Sequence, residues 1–142
     1  LRPGAFRLLV TGGPVPPGPF PPSMIFAGRV PDIAPYLLRA DVCLAPLFSG
    51  SGTRLKILEY LGAGKPVVAT PKGAEGLDAE SGRHLVLAEP ARFAEAVARV
   101  AADPAADRAL GESGLAPVRE RYTWDAIRER WRSVLGRWAP GM

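Results

Sequence analysis

The sequence holds one cysteine, Cys43, and one histidine, His84. A lone cysteine forms no internal disulfide, so the fold does not rest on the cross-linked framework of small secreted domains. A lone histidine with no clustered cysteines excludes a His/Cys zinc site, and no Asp-x-Asp pair is present for a divalent cation. No apolar run approaches the roughly 20 residues that a membrane-spanning helix needs. The N-terminus lacks the basic, apolar, small-residue order of a signal peptide, so a cytoplasmic location is the expectation. There is no initiator Met either. The chain opens on Leu1-Arg2-Pro3, as a piece of a longer polypeptide would.

Lysine is scarce, with Lys56, Lys65 and Lys72 against fifteen arginines. The net charge of +4 is dispersed: basic groups are in excess over residues 1–40 and 119–142, balanced over 41–83 and outnumbered over 84–118. Nucleic-acid binding calls for a clustered basic face with aromatics interleaved, so no nucleic-acid partner is expected. What the chain has is ordinary globular material. Its 142 residues are 47% hydrophobic and 23% charged, which fits a single domain with its own core and argues against disorder. Glycine and proline are in excess at sixteen each, and eight prolines fall within the first 31 residues.

Short apolar runs alternate with helical patterns along the chain. Strands are predicted over 6–11, 24–28, 41–46, 66–70 and 84–88, and the first stops at Gly12-Gly13. Asp32 caps a helix carrying Ile33, Tyr36, Leu37 and Ala40, and a second helix runs from Thr53 to Ala63, ended by Gly64. Further helices are predicted over 91–102, 105–120 and 124–138. The proline-rich segment 14–22 suits neither a central strand nor a helix. Continuous apolar strands alternating with helices predict an α/β, Rossmann-like doubly wound parallel sheet with helices on both faces. Such sheets bind ligands beyond the carboxyl ends of their strands, which selects the loops at 12–22, 28–32, 46–53 and 71–76.

The most informative stretch is Ser49-Gly-Ser-Gly-Thr-Arg-Leu-Lys-Ile-Leu-Glu-Tyr60. Small residues after a strand open a helix, so free backbone N–H groups and the helix dipole form an anion site suited to phosphate. Leu55, Leu58 and Leu61 are placed to face the sheet, and Thr53, Lys56 and Glu59 form a polar stripe. Two readings stay open on spacing alone. Arg54 or Lys56 neutralises a diphosphate while Glu59 accepts hydrogen bonds from a ribose diol; or Lys56 and Glu59 form a solvent-facing ion pair of a few tenths of a kcal/mol.

Several ordered motifs carry a resemblance over nearly the whole chain: Leu8-Leu-Val-Thr-Gly-Gly13, Phe26-Ala-Gly-Arg-Val-Pro-Asp32, Asp41-Val-Cys-Leu-Ala-Pro46, Gly50-Ser-Gly-Thr-Arg-Leu-Lys-Ile-Leu-Glu59, Gly64-Lys-Pro-Val-Val-Ala-Thr70, Gly73-Ala-Glu-Gly-Leu77 and Tyr122-Thr-Trp124. Together they resemble the carboxyl-terminal, donor-binding domain of GT-B retaining glycosyltransferases of family 4, the glycosyl transferases group 1. The resemblance implies that this chain is one Rossmann-like domain over 1–142, truncated at its start and ending in the helix near 124–138. The implied activity is retaining transfer of a sugar from a nucleotide-diphosphate sugar to an acceptor, hexosyltransferase-like in a bacterial enzyme, with this fragment inactive alone. The resemblance implies that Glu59 holds the nucleotide ribose, that Ser51, Gly52 and Thr53 approach the diphosphate and sugar, and that Gly73, Ala74 and Glu75 line the same cleft. Ser51 stands where many relatives carry the first Glu of Glu-x7-Glu, and Arg54 and Lys56 are the residues to compensate.

The family's basic Arg/Lys pair and its amino-terminal acceptor domain would precede residue 1, and the full-length enzyme could associate peripherally with a membrane. No cofactor or metal is expected, and no catalytic residue is identified within the segment. Two alternatives stand beside transfer: a GT-B nucleotide-sugar epimerase, and a non-catalytic domain that binds a nucleotide or a partner protein. His84 and Cys43 read as structural. Trp124, Trp131 and Trp138 recur every seventh residue and read as core or domain packing, half exposed here, with Arg119, Arg121, Arg128, Arg130 and Arg132 as a solvated face.

Overall fold

Val67, Val68 and Ala69 are all fully buried, as a strand covered on both faces must be. They form the middle of a three-stranded parallel sheet in a computed structural model that describes residues 6–138; Leu1, Arg2 and Pro3 fall outside that range. The chain divides into two compact units, one through Tyr36 and one from Leu37 onward.

In the first unit, β1 (Leu8–Thr11) pairs in parallel with β2 (Met24–Gly28), and the register shifts between Val10 and Thr11. The strand predicted over 6–11 is shorter and not buried, for Leu8 and Leu9 are exposed. The proline-rich connection does take up loop structure, and Phe20 within it packs at a tilt of 55° against Phe26 of β2 with ring centroids 4.6 Å apart. Asp32 accepts a hydrogen bond from the Ala34 amide at 2.9 Å and opens α1 (Ala34–Arg39), as its short polar side chain suits it to do.

In the second unit the order is β3 (Cys43–Ala45), α2 (Leu55–Gly62), β4 (Val67–Ala69), β5 (Val86–Leu87), a single 3-10 turn at Pro90–Arg92, then α3 (Phe93–Ala101), α4 (Pro104–Arg121) and α5 (Trp124–Trp138). β4 lies between β3 and β5, all parallel, with Leu44 beside Val68 and Val68 beside Val86. Val68 packs with Ala88 and with Ala96 and Val100 of α3, so alternation turns Val67 and Ala69 to the other face. Helix α2 packs on β3 and β4 and against α4.

The α2–α4 contact is close because α4 presents Gly111, Gly114 and Pro117 as its buried residues. A Cβ on Gly114 would meet the His84 carbonyl oxygen at 2.6 Å and Leu61 at 2.7 Å, and one on Gly111 would collide with the Gly64 carbonyl. Asp103 caps α4 by accepting from the Ala105 and Ala106 amides at 3.2 and 3.1 Å. In α5 no residue is buried; Trp124, Trp131 and Trp138 are 81%, 60% and 85% exposed. The tryptophans are thus not core residues among the described residues and are more than half exposed, which leaves the domain-packing half of the expectation untested. Cys43 is buried, as expected, and burial pushes its thiol up to about 11.

Candidate functional site

At the carboxyl edge of the three-stranded sheet, the loop after β3 and the turn after β4 meet through Thr70. Its amide donates to the Ala45 carbonyl at 3.2 Å, while its buried hydroxyl donates to the Leu47 carbonyl and accepts from the Gly73 amide at 3.1 Å. Gly73 is needed there, because a Cβ would sit 2.7 Å from the Ala45 carbonyl oxygen. Gly73 and Ala74 are buried under their own turn, and Glu75 emerges from it. The sequence offered one hint of Thr70, a lone hydroxyl residue ending the apolar run Val67-Val-Ala69. Leu77 follows, and the Asp78 amide donates to the Tyr122 hydroxyl at 3.2 Å beside an ion pair from Arg121 to Asp78.

The loop after β3 runs over Ser51, Gly52 and Thr53, all exposed, with Gly50 at φ 111° and Gly52 at φ 99°. Those values favour glycine and let the backbone face outward without side chains in the way. Helix α2 then begins at Leu55, two residues later than predicted, because Arg54 holds a non-helical conformation. No side chain caps this end, and its first turn carries no acidic residue. The Ile57 amide donates to the Arg54 carbonyl at 3.0 Å, so the Leu55 and Lys56 N–H groups are the ones left to solvent or to a ligand.

The buried face of α2 differs from the expected one. Leu55 is 62% exposed, whereas Arg54, Ile57 and Leu61 are buried and Leu58 is half-buried. The inward stripe is therefore Arg54-Ile57-Leu58-Leu61, with the helical spacing of three and four residues. An arginine stem is apolar enough to join such a stripe when its head finds partners. One terminal nitrogen of Arg54 donates to Glu75 Oε2 at 3.0 Å and reaches the Gly50 carbonyl at 3.4 Å, while its Nε is buried without a partner. Lys72 donates to the same Glu75 oxygen at 2.6 Å. These contacts, Lys72 foremost and then Arg54, hold the Glu75 carboxyl below its usual 4.5.

The structure thus brings Arg54, Gly73, Ala74 and Glu75 together with the exposed Ser51–Thr53 loop. Lys56 and Glu59 lie exposed along α2, and no ion pair joins them. Lys72, missed in the sequence, completes the charged cluster. Among the described residues, no group of three or more His, Cys, Asp or Glu is arranged to hold a metal. His84 accepts a hydrogen bond from the Glu80 amide through Nδ1 at 3.0 Å, a structural use.

The family model described as glycosyl transferases group 1 matches residues 2–103. The chain belongs to this family. Its structural neighbours are GT-B glycosyltransferases. The sucrose-phosphate synthase of Thermosynechococcus elongatus is 28% identical with a TM-score of 0.70, over 80% of this chain and 29% of that one. The C-terminal domain of the group 1 protein LpcC of Francisella tularensis is 21% identical with a TM-score of 0.65, over 72% of this chain and 55% of that one. Anabaena HepE, solved in complex with UDP, is 24% identical with a TM-score of 0.66, over 80% of this chain and 32% of that one. The latter two likenesses, below 25% identity, speak for the fold alone. No curated protein matches the sequence. The fold is the α/β, parallel-sheet architecture of GT-B glycosyltransferase domains, and this chain spans about a third to a half of the solved proteins it resembles.

Proposed function

We propose that the chain is the donor-binding domain of a retaining, hexosyltransferase-like enzyme that takes its sugar from a nucleotide-diphosphate sugar. The observation that carries this reading is the uncapped N-terminal end of α2, set behind the glycine-rich Gly50–Thr53 loop at the carboxyl edge of the sheet. Outward N–H groups and the positive end of the helix dipole suit a diphosphate. Arg54 and Lys72 against the single Glu75 leave the adjoining turn cationic. During transfer that arrangement would stabilise the charge building on the departing nucleoside diphosphate. Glu59, exposed one turn further along α2, is the candidate acceptor for ribose hydroxyls, and Ser51, Gly52 and Thr53 the candidate backbone contacts.

The acceptor would be held by polypeptide outside this chain, so the fragment alone would transfer no sugar. Titrating UDP and GDP against the chain, followed by amide NMR, tests the reading. Shifts confined to residues 50–60 and 72–75 are expected. If millimolar nucleotide leaves those signals unmoved while the fold is intact, the donor-site reading fails and a domain that binds a partner protein takes its place.

A further inference from the structure

The charged group nearest the open end of α2 is not disposed as a ligand-binding residue. The Arg54 side chain is only 6% exposed, lies in line with Ile57 and Leu61 on the buried face, and spends its reachable nitrogen on Glu75 and the Gly50 carbonyl. Those two partners sit on different loops: Gly50 in the connection after β3, and Glu75, 21 residues beyond Arg54, in the turn after β4. One terminal nitrogen therefore bridges both loops. Its Nε stays buried and unpaired, which a side chain chosen for stability alone would avoid. Lys72, 39% exposed on the same Glu75 oxygen, is the cation left open to solvent.

We propose that Arg54 is a positioning residue, which, held by Glu75, sets the Gly50–Thr53 loop against the Lys72–Glu75 turn so that the end of α2 is presented to a nucleoside diphosphate. The proposal rests on the donor-site reading for its ligand. Its geometry does not. Lysine is shorter and carries its charge on a freely turning ammonium, whereas the nitrogen that meets both acceptors is held in the plane of the Arg54 guanidinium, so lysine should keep the charge and lose the alignment.

The experiment compares the chain with Arg54→Lys, Glu75→Gln and the double variant. It records amide chemical shifts of residues 50–53, hydrogen exchange at Gly73 and Ala74, the thermal midpoint, and the dissociation constant for UDP. Arg54→Lys should move the loop shifts, speed exchange at Gly73 and Ala74 in the ligand-free chain, and weaken UDP by roughly tenfold, the loss of one charge-assisted contact. Glu75→Gln should change shifts and exchange likewise, while the negative charge it removes beside Lys72 offsets the loss in UDP affinity. The double variant should move shifts and exchange no further than Glu75→Gln, in which the Arg54–Glu75 link is already gone. A purely structural role would lower the midpoint and leave the loop shifts and UDP affinity of the folded chain unchanged. That result, or strictly additive effects, overturns the proposal. If the unmodified chain binds neither UDP nor GDP, the donor-site reading falls, and shifts and exchange in the ligand-free chain still decide the role of Arg54. Should Arg54→Lys fail to fold, Glu75→Gln, altered at an exposed carboxylate, separates the two roles by itself.

Discussion

Gly73 is packed against the carbonyl oxygen of Ala45, at a distance that leaves no room for a side chain. This contact joins the turn after β4 to the end of β3 and fixes where Glu75 leaves the surface. Gly73→Ala should therefore destabilise the chain by about 1–3 kcal/mol, as overpacking against backbone does. Urea unfolding checks the figure, and a midpoint equal to that of the parent chain would contradict the packing described.

Two glycine-to-alanine changes within helices should have opposite signs. Gly111 in α4 has no space for a Cβ, whereas Gly136 in α5 has nothing within 4 Å. Both changes gain helix propensity, about 1 kcal/mol each. Gly111→Ala should nonetheless lower the thermal midpoint through its clash with Gly64, and Gly136→Ala should raise it.

Glu59→Ala should weaken UDP binding while leaving the circular dichroism spectrum and thermal midpoint unchanged, because Glu59 is exposed and makes no side-chain ion pair. Equal affinity in the variant would remove Glu59 from the proposed ribose contact. Ile57→Ala, on the opposite side of the same helix, should cost roughly 2–5 kcal/mol as a buried truncation.

The Glu75 carboxyl, held low by Lys72 and Arg54, contributes stability that is present above its ordinary value of 4.5 and is lost as pH falls through the lowered one. The Gly50–Thr53 amide signals should accordingly stay constant down to pH 4.5 and shift only in more acid solution. In Glu75→Gln that acid-side shift should vanish.

Cys43 gives the opposite limb. Its thiol is raised from 9.0 to about 11 by burial, so its contribution is complete below pH 9 and is lost as pH rises toward 11. Iodoacetamide at pH 8 should leave Cys43 unmodified in the folded chain and alkylate it in urea. Rapid modification under native conditions would contradict its burial.

Much of the element order was legible because apolar runs and caps are local signals. β2 over 24–28 and α5 over 124–138 coincide with their predicted spans, and Asp32 caps α1 as expected. The face of α2 was not legible. Leucine spacing pointed to Leu55, Leu58 and Leu61, but the partner that draws Arg54 inward stands 21 residues away, and no window along the helix contains it. Gly111 and Gly114 were equally hidden, since glycine in a helical stretch reads as a weak helix former until its neighbour's backbone is in view. The tryptophan period of α5 was visible, yet period alone does not say what covers a stripe, and among the described residues nothing buries it. At the site, the glycine loop and Glu75 could be named from their motifs. Thr70 could not, because its role comes from contacts between loops, and Lys72 could not, because its pairing with Glu75 depends on the shape of the turn after β4.

The small-residue surface of α4 gives α2 two unequal ends. At its carboxyl end the Leu61 side chain packs on Gly114, and Gly64, just past the helix, lies backbone to backbone against Gly111. Its other end carries no side-chain cap and is held by the buried Ile57 and by the Arg54 guanidinium on Glu75. The two ends are thus fixed by different means, and the capless one is where the proposed diphosphate would rest. A side chain added at Gly114 would press on Leu61, so a change in α4 is expected to be felt along α2 although α4 supplies no residue to the proposed site.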